Sequence, residues 1–168
     1  MKRRLYIIRH AKSSWDFDGL PDIHRPLSER GIRNASTMAK RLQDLGMIPE
    51  LLFSSPASRA LNTALIMKKV WGLPPDALQI HEALYEIFQS DMDSILSVAS
   101  PEVKNLAIYG HNPTFTMYAN WFLDKPLDNL PTAGVVVVTL DSEGWSGLEQ
   151  SMVTKTYVDY PKRKNNKK

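Results

Sequence analysis

Short apolar runs alternate along this chain with longer stretches in which apolar residues recur every three or four positions. The first run, Leu5-Tyr6-Ile7-Ile8, passes straight into Arg9-His10-Ala11-Lys12. Runs this short, bounded by charge, read as strands buried on both faces. Residues 13–27 carry Gly19-Leu20-Pro21 and His24-Arg25-Pro26 and keep no period, so they read as a long loop, of a length that tends to be functional. Ser28 then caps a helix whose apolar positions Ile32, Ala35, Met38, Ala39, Leu42 and Leu45 form one stripe, and Gly46 stands where the chain leaves it.

The alternation continues. Leu51-Leu52-Phe53 is a second buried strand, and Ser55-Pro56 is a cap and first-turn pair. They predict a helix from Pro56 to about Trp71 with Ala57, Ala60, Leu61, Ala64 and Leu65 inward. Residues 77–80 read as a third strand and 91–99 as a short helix with Met92, Ile95, Leu96 and Ala99 inward. A fourth strand, Asn105 to Tyr109, runs into Gly110-His111-Asn112-Pro113, which starts a helix burying Phe115, Tyr118, Ala119 and Phe122. Val135 to Leu140 is a strand, and Trp145 to Tyr157 reads as one or two more after a turn at Asp141-Ser142-Glu143-Gly144. Strands alternating with helices predict a parallel sheet covered on both faces, and closing strands without helices predict antiparallel pairing at an edge. The expected fold class is α/β, a three-layer α/β/α sandwich.

Composition narrows the function classes. A chain of 168 residues fits one domain, assigned to residues 1–161, followed by a basic tail at 162–168. Without cysteine there is no thiolate nucleophile, disulfide or zinc-thiolate site. Only four apolar residues follow Met1-Lys2-Arg3-Arg4 before the next charge, too few for a signal peptide's core or a membrane span. The formal charge of +3 misleads, because Lys162, Arg163, Lys164, Lys167 and Lys168 supply it and leave a body of net charge −2. The expectation is a soluble cytoplasmic protein, with neither nucleic acid nor membrane as partner, whose tail is disordered and solvated.

Candidate chemistry gathers at the strand ends. Arg9 and His10, Arg59 and His111 each follow one of three separate strands, and open α/β sheets bind ligands at their carboxyl edge. A cation at the positive end of a helix is misplaced unless an anion sits there with it, which describes Arg59. Two arginines that fork onto an anion, with two imidazoles of which one attacks, make a covalent phosphoryl-transfer site. No His-x-x-x-His spacing and no aspartate cluster suits a metal, so neither metal nor other cofactor is expected.

These residues carry a resemblance. Arg9-His10-Ala11, Arg25-Pro26-Leu27-Ser28-x-x-Gly31, Ser55-Pro56-x-x-Arg59-Ala60-x-x-Thr63 and Gly110-His111-Asn112-Pro113 resemble, in order, the blocks of the histidine phosphatase superfamily. The resemblance covers Leu5 to about Leu140 and implies the phosphoglycerate mutase-like fold, its central sheet mostly parallel with an antiparallel edge. Short length, the loop Lys12-Ser13-Ser14-Trp15-Asp16 and no inserted cap domain resemble the small SixA branch, whose substrates include phosphohistidine on signalling proteins. It implies His10 as nucleophile, with Arg9, Arg59 and His111 holding the phosphoryl group. Ala11 stands where glycine is more familiar, so the backbone after His10 must keep φ below zero.

The resemblance implies a general acid less firmly. Leu84-Tyr85-Glu86 resembles the Leu-x-Glu of larger relatives, making Glu86 the candidate, with Glu82, Asp16 and Asp18 behind it. The expected activity is a metal-independent phosphatase acting on phosphohistidine of a protein. A hydrolase of small phosphorylated metabolites is the alternative, with Lys12, His24 and Arg25 as the extra cations it needs. A non-catalytic phosphohistidine-binding module is the third reading, favoured only where an essential residue is missing.

Overall fold

The computed structural model describes residues 1–163. Its six strands are β1 (Lys2–Arg9), β2 (Leu51–Ser54), β3 (Leu78–Ile80), β4 (Asn105–Gly110), β5 (Val135–Asp141) and β6 (Val153–Asp159), and its four α-helices are α1 (Glu29–Asp44), α2 (Ser58–Trp71), α3 (Met92–Leu96) and α4 (Thr114–Asn120). They form one sheet in the order β3-β2-β4-β1-β5-β6. β3, β2, β4 and β1 run parallel, while β5 pairs antiparallel with both β1 and β6.

Period-two alternation divides the core. Leu5 and Ile7 face one side with Leu106, Ile108, Val136 and Val138, against residues of α3 and α4. Tyr6 and Ile8 face the other with Ala107, Tyr109, Val135 and Val137, against α1 and α2. Right-handed crossovers explain this layering: the steps from β1 to β2 and β2 to β3 move one way across the sheet, and the step from β3 to β4 moves back, so its helix falls on the opposite face.

Several boundaries differ from the sequence expectation, each for a local reason. β1 begins at Lys2 because Arg3, 1% exposed, is fully engaged. Its guanidinium donates to the carbonyls of Val103, Ser142 and Glu143 and lies over the Trp145 ring. α2 begins at Ser58 rather than Pro56, because the Ser55 hydroxyl accepts from Ala57 N–H at 3.1 Å and holds residues 55–57 in a turn. The inward face of α2 is Ala60, Ala64, Met67 and Trp71 together with polar Arg59 and Thr63, which leaves Leu65 exposed and Leu61 half-buried. On α1, Ile32 and Leu45 are likewise exposed. Residues 145–157 contribute a single strand, since Trp145 turns into the core and donates Nε1–H to Val103 O before a 3₁₀ turn leads into β6. Pro161 and Lys162 form a turn closed by Arg163 N–H on Tyr160 O, and the rest of the expected basic tail lies outside the described residues.

The start of α1 clamps the loop that leaves β1. Ser28 N–H and hydroxyl both donate to Lys12 O, and Ser28 Oγ accepts from Gly31 N–H. A Cβ on Gly31 would overlap the Lys12 carbonyl oxygen, so only glycine allows this approach. Gly31→Ala is expected to destabilise the protein by about 1–3 kcal/mol, the range for forcing extra volume into a packed contact. Urea denaturation checks it as a lower midpoint at unchanged slope.

Candidate active site

The parallel register levels three strand ends. Arg9 pairs with Gly110 across β1 and β4, and Ser54 with Tyr109 across β2 and β4. His10 N–H then donates to Gly110 O and Ser55 N–H to Tyr109 O, each at 3.0 Å, so His10, His111 and Ser55 leave the sheet side by side. The four side chains expected to meet do meet: Arg9, His10, Arg59 and His111 line one cavity of about 220 Å³.

His10 is 8% exposed, and its Nδ1 lies 2.7 Å from Ala11 O. A carbonyl only accepts, so Nδ1 carries the proton and Nε2 the free lone pair. Burial, with the charges of Arg59, Arg9 and Arg25 adding to it, pushes its pKa down to about 4 despite the Ala11 hydrogen bond. Neutral at pH 7, the ring is a nucleophile. Ala11 N–H donates to Thr63 Oγ1, whose own hydroxyl donates to Arg59 O, so α2 steadies the backbone beside His10. Ala11 keeps a negative φ, as the alanine requires; among the described residues Ala133 is the non-glycine residue with positive φ, at 58°. That left-handed turn is held by the site itself, for Ala133 N–H donates to His10 O and Arg9 N–H to Gly134 O.

The remaining donors are incompletely used. Arg9 gives Nη1–H to Leu130 O at 2.9 Å, and Arg59, 6% exposed, gives Nη1–H to Asp22 O and Nη2–H to Asp22 Oδ2. His111 Nε2 lies 2.8 Å from Ser55 Oγ, its ring 5.2 Å from that of His10 and edge-on to Tyr85. Burial first, then the proximity of His10 and Arg59, lowers its pKa to about 3. Arg9 Nε, Arg59 Nε and His111 Nδ1 are buried without any partner among the described residues. Unpaired buried polar atoms are costly, and three on residues that line one cavity fit an anion site, with the two guanidinium Nε–H groups as donors and His111 Nδ1 as a third in the tautomer that places its proton there.

The first-loop candidates separate. Lys12 and Arg25 line the cavity, the latter held by Ser13 Oγ, by Asp22 Oδ1 and by Trp15, whose ring centroid is 3.6 Å from its guanidinium carbon. His24 is exposed and stands outside it, a correction to its place among the extra cations: the 3₁₀ turn Asp22–His24 points Arg25 inward instead. Glu86 is also outside, on a neighbouring cavity of about 360 Å³ that shares His111 and Asn112 with the first. Glu82, Asp16 and Asp18 are exposed and line neither cavity. Sequence reasoning passed over Asp22 and gave no role to Tyr85, Ser55 or Thr63, although the last three stand in the quoted motifs. Asp22 had one legible signal, its position three residues before Arg25, which allows the ion pair they make. Among the described residues no group of three or more histidine, aspartate or glutamate side chains is placed to hold a metal, and no helix is long and apolar enough to cross a membrane.

A three-layer sandwich with a cationic, imidazole-bearing cavity at the carboxyl edge of its parallel strands has the phosphoglycerate mutase-like architecture. The chain belongs to the histidine phosphatase superfamily (branch 1), which matches it over residues 5–99. An uncharacterised chloroplastic protein of Arabidopsis thaliana is 34% identical over 120 residues, 67% of this chain and 55% of the relative, so the chain spans about half that relative's length. Among solved structures, a SixA protein of Agrobacterium tumefaciens, named as a candidate phosphohistidine phosphatase, is 27% identical with a TM-score of 0.71, covering 83% of this chain and 90% of that one. A SixA protein of Nakamurella multipartita, similarly named, superposes with a TM-score of 0.80 at 19% identity over 97% of this chain and 98% of its own, a likeness of fold. His111 lies beyond the family match, and the sheet register is what brings it to His10.

Buried neutral imidazoles make stability depend on pH in one direction. In the unfolded chain histidine takes up a proton near pH 6.5, whereas His10 and His111 refuse it until about pH 4 and about pH 3. Between those values the unfolded state binds more protons, so stability is full above pH 6.5 and falls as pH is lowered toward 4. Unfolding free energy measured from pH 7 to 5 in phosphate-free buffer is expected to decline, and the decline to be flatter in His10→Gln/His111→Gln. An unchanged slope in the double variant would refute the assignment.

Proposed function

We propose that residues 1–161 form one histidine phosphatase domain, a metal-independent phosphatase that passes the phosphoryl group through His10. The observation that carries this reading is the set of unpaired buried donors, Arg9 Nε, Arg59 Nε and His111 Nδ1, on the walls of the cavity holding a neutral His10. His10 Nε2 attacks phosphorus, the leaving group departs with its electron pair, and a phosphoramidate bond to His10 results. Water then attacks that phosphorus, and His10 leaves as the imidazole. Arg9 and Arg59 neutralise the equatorial oxygens throughout, and His111 donates from Nδ1 while Ser55 engages Nε2.

The substrate we propose is phosphohistidine on a signalling protein. An imidazole leaving group has a conjugate-acid pKa of about 6.5 and departs with little proton assistance. Such a substrate suits a site whose candidate acid, Glu86, lines the adjoining cavity rather than the one with His10. A second reading, a small phosphorylated metabolite, is favoured by one observation: Lys12 and Arg25 add cations to the cavity wall. Arg25 is already engaged by Asp22, Ser13 and Trp15, which weakens it as a free contact for further anionic groups.

Rapid quench with labelled substrate is expected to trap an acid-labile, base-stable adduct on His10, and His10→Ala to abolish turnover. Label on another residue, or full activity in that variant, would overturn the reading. Arg59→Ala and His111→Ala are expected to lower kcat by about 10²-fold or more, the effect of losing a preorganised transition-state donor. A chelator is expected to leave the rate unchanged.

Substrate classes separate through Glu86. Glu86→Gln should slow phosphohistidine hydrolysis by less than about tenfold, and alkyl phosphate hydrolysis, whose leaving group needs a proton, by nearer 10²-fold. A wild-type rate on alkyl phosphates above that on phosphohistidine would move the assignment to the metabolite.

A further inference from the structure

Asp22 has no place in the reaction so far, yet its carboxylate accepts three hydrogen bonds beside the cavity. Its Oδ2 accepts from Arg59 Nη2 at 3.0 Å and from the Tyr85 hydroxyl at 2.6 Å, its Oδ1 accepts from Arg25 Nε at 3.1 Å, and its backbone oxygen accepts from Arg59 Nη1 at 2.8 Å. The carboxyl is held well below the usual carboxylate range, by the Tyr85 hydroxyl first and by the two arginines after it. Asp22 is therefore an anion at working pH. It does not line the cavity itself.

The geometry decides which edge of Arg59 remains. A guanidinium offers five N–H groups in a planar fork. Asp22 takes one from each terminal nitrogen, which leaves Nε buried and unpaired on a residue that lines the cavity. Tyr85 completes the hold from the opposite side of the site, because its hydroxyl fixes Asp22 while its ring stands edge-on to His111 at 5.6 Å. One chain of contacts thus runs from His111 through Tyr85 and Asp22 to Arg59, joining the first loop, the segment after β3 and α2.

We infer that Asp22, braced by Tyr85, is a positioning residue that orients Arg59 so that its Nε edge faces the phosphoryl group. The inference rests on the function proposed above. An aspartate here carries a cost, since its negative charge opposes the binding of an anionic substrate. That cost supplies the test, because orientation and charge pull two measurable quantities in opposite directions.

Asp22→Ala is expected to lower kcat on an aryl phosphate by about tenfold, as misplacing a transition-state contact does. It should bind inorganic phosphate, measured by calorimetry, at least as tightly as wild type, because a repelling charge is gone. Asp22→Asn keeps an accepting oxygen for Arg59 and should retain kcat within roughly threefold, with phosphate bound more tightly. Tyr85→Phe keeps the ring and removes one hydrogen bond, so it should lose roughly threefold in kcat. Should Asp22→Ala fail to fold, the other two variants decide. Nitrogen-15 NMR of the Arg59 guanidinium reads the hold without turnover: hindered rotation is expected in the wild type and in Asp22→Asn, and free rotation in Asp22→Ala. Unchanged kcat in Asp22→Ala, parallel loss of kcat and phosphate affinity, or free rotation of Arg59 in the wild type would each overturn the inference. A wild-type protein that binds phosphate and holds Arg59 but turns over no phosphorylated compound would overturn the proposed function and leave Asp22's hold on Arg59 standing.

Discussion

Burying two arginines and two imidazoles around one small cavity is unfavourable unless an anion joins them, and the architecture around β1, β4 and β2 is arranged to sustain that unfavourable state. Arg59 and His10 are almost fully buried, and both histidines are held neutral by desolvation. Neutral imidazoles lighten the burden, since they add no charge to a site already crowded with guanidinium groups. The same neutrality leaves a ring nitrogen lone pair free on His10, which the proposed attack on phosphorus requires. Electrostatic cost and chemical competence thus have one origin, the burial of these groups away from water.

Rigid neighbours sustain this cluster. The sheet sets the backbone of His10 and His111 through hydrogen bonds to Gly110 O and between β1 and β4. Thr63 ties Ala11 to α2, and Ser55, engaged by both Ala57 N–H and His111, ties the end of β2 to the imidazole. On the far side Asn112 binds Leu130 O and Asn129 through its amide nitrogen and accepts from Thr116, which joins the start of α4 to the turn that receives Arg9. Functional side chains come from strand ends and helix starts, whereas the loop from Lys12 to Leu27 supplies cations and their counter-ion. The counter-ion ties the loop to α2, since Asp22 accepts from both terminal nitrogens of Arg59.

Much of this was legible in the chain because it depends on local order. Apolar runs and helical stripes are periodic, and they placed the strands and helices up to β5 within a few residues and implied a parallel sheet with an antiparallel edge, while the last strand begins eight residues later than the stretch expected to form it. Arg9, His10, Arg59 and His111 were legible because each directly follows a strand or opens the helix after one, and in a parallel sheet those positions share an edge. Boundaries slipped where a side chain far away in sequence intervened. Arg3 extended β1 by finding carbonyls near residues 103 and 142, and Arg59 and Thr63 turned α2 so that Leu65 faced outward.

By itself, then, the sequence determined the fold class and the strand ends at which Arg9, His10, Arg59 and His111 come together, because hydrophobic period and strand-end position are properties of short segments. Tertiary structure alone decided which of the loop residues reach the cavity, why Lys12 and Arg25 do and His24 does not, and why Glu86 looks into the space next door. It also decided the partners that set each donor's direction, above all Asp22 with Arg59 and Tyr85. Those contacts join residues 37 and 63 positions apart. No periodicity reaches over such distances, and only the packed chain brings an aspartate in an irregular loop against an arginine on α2.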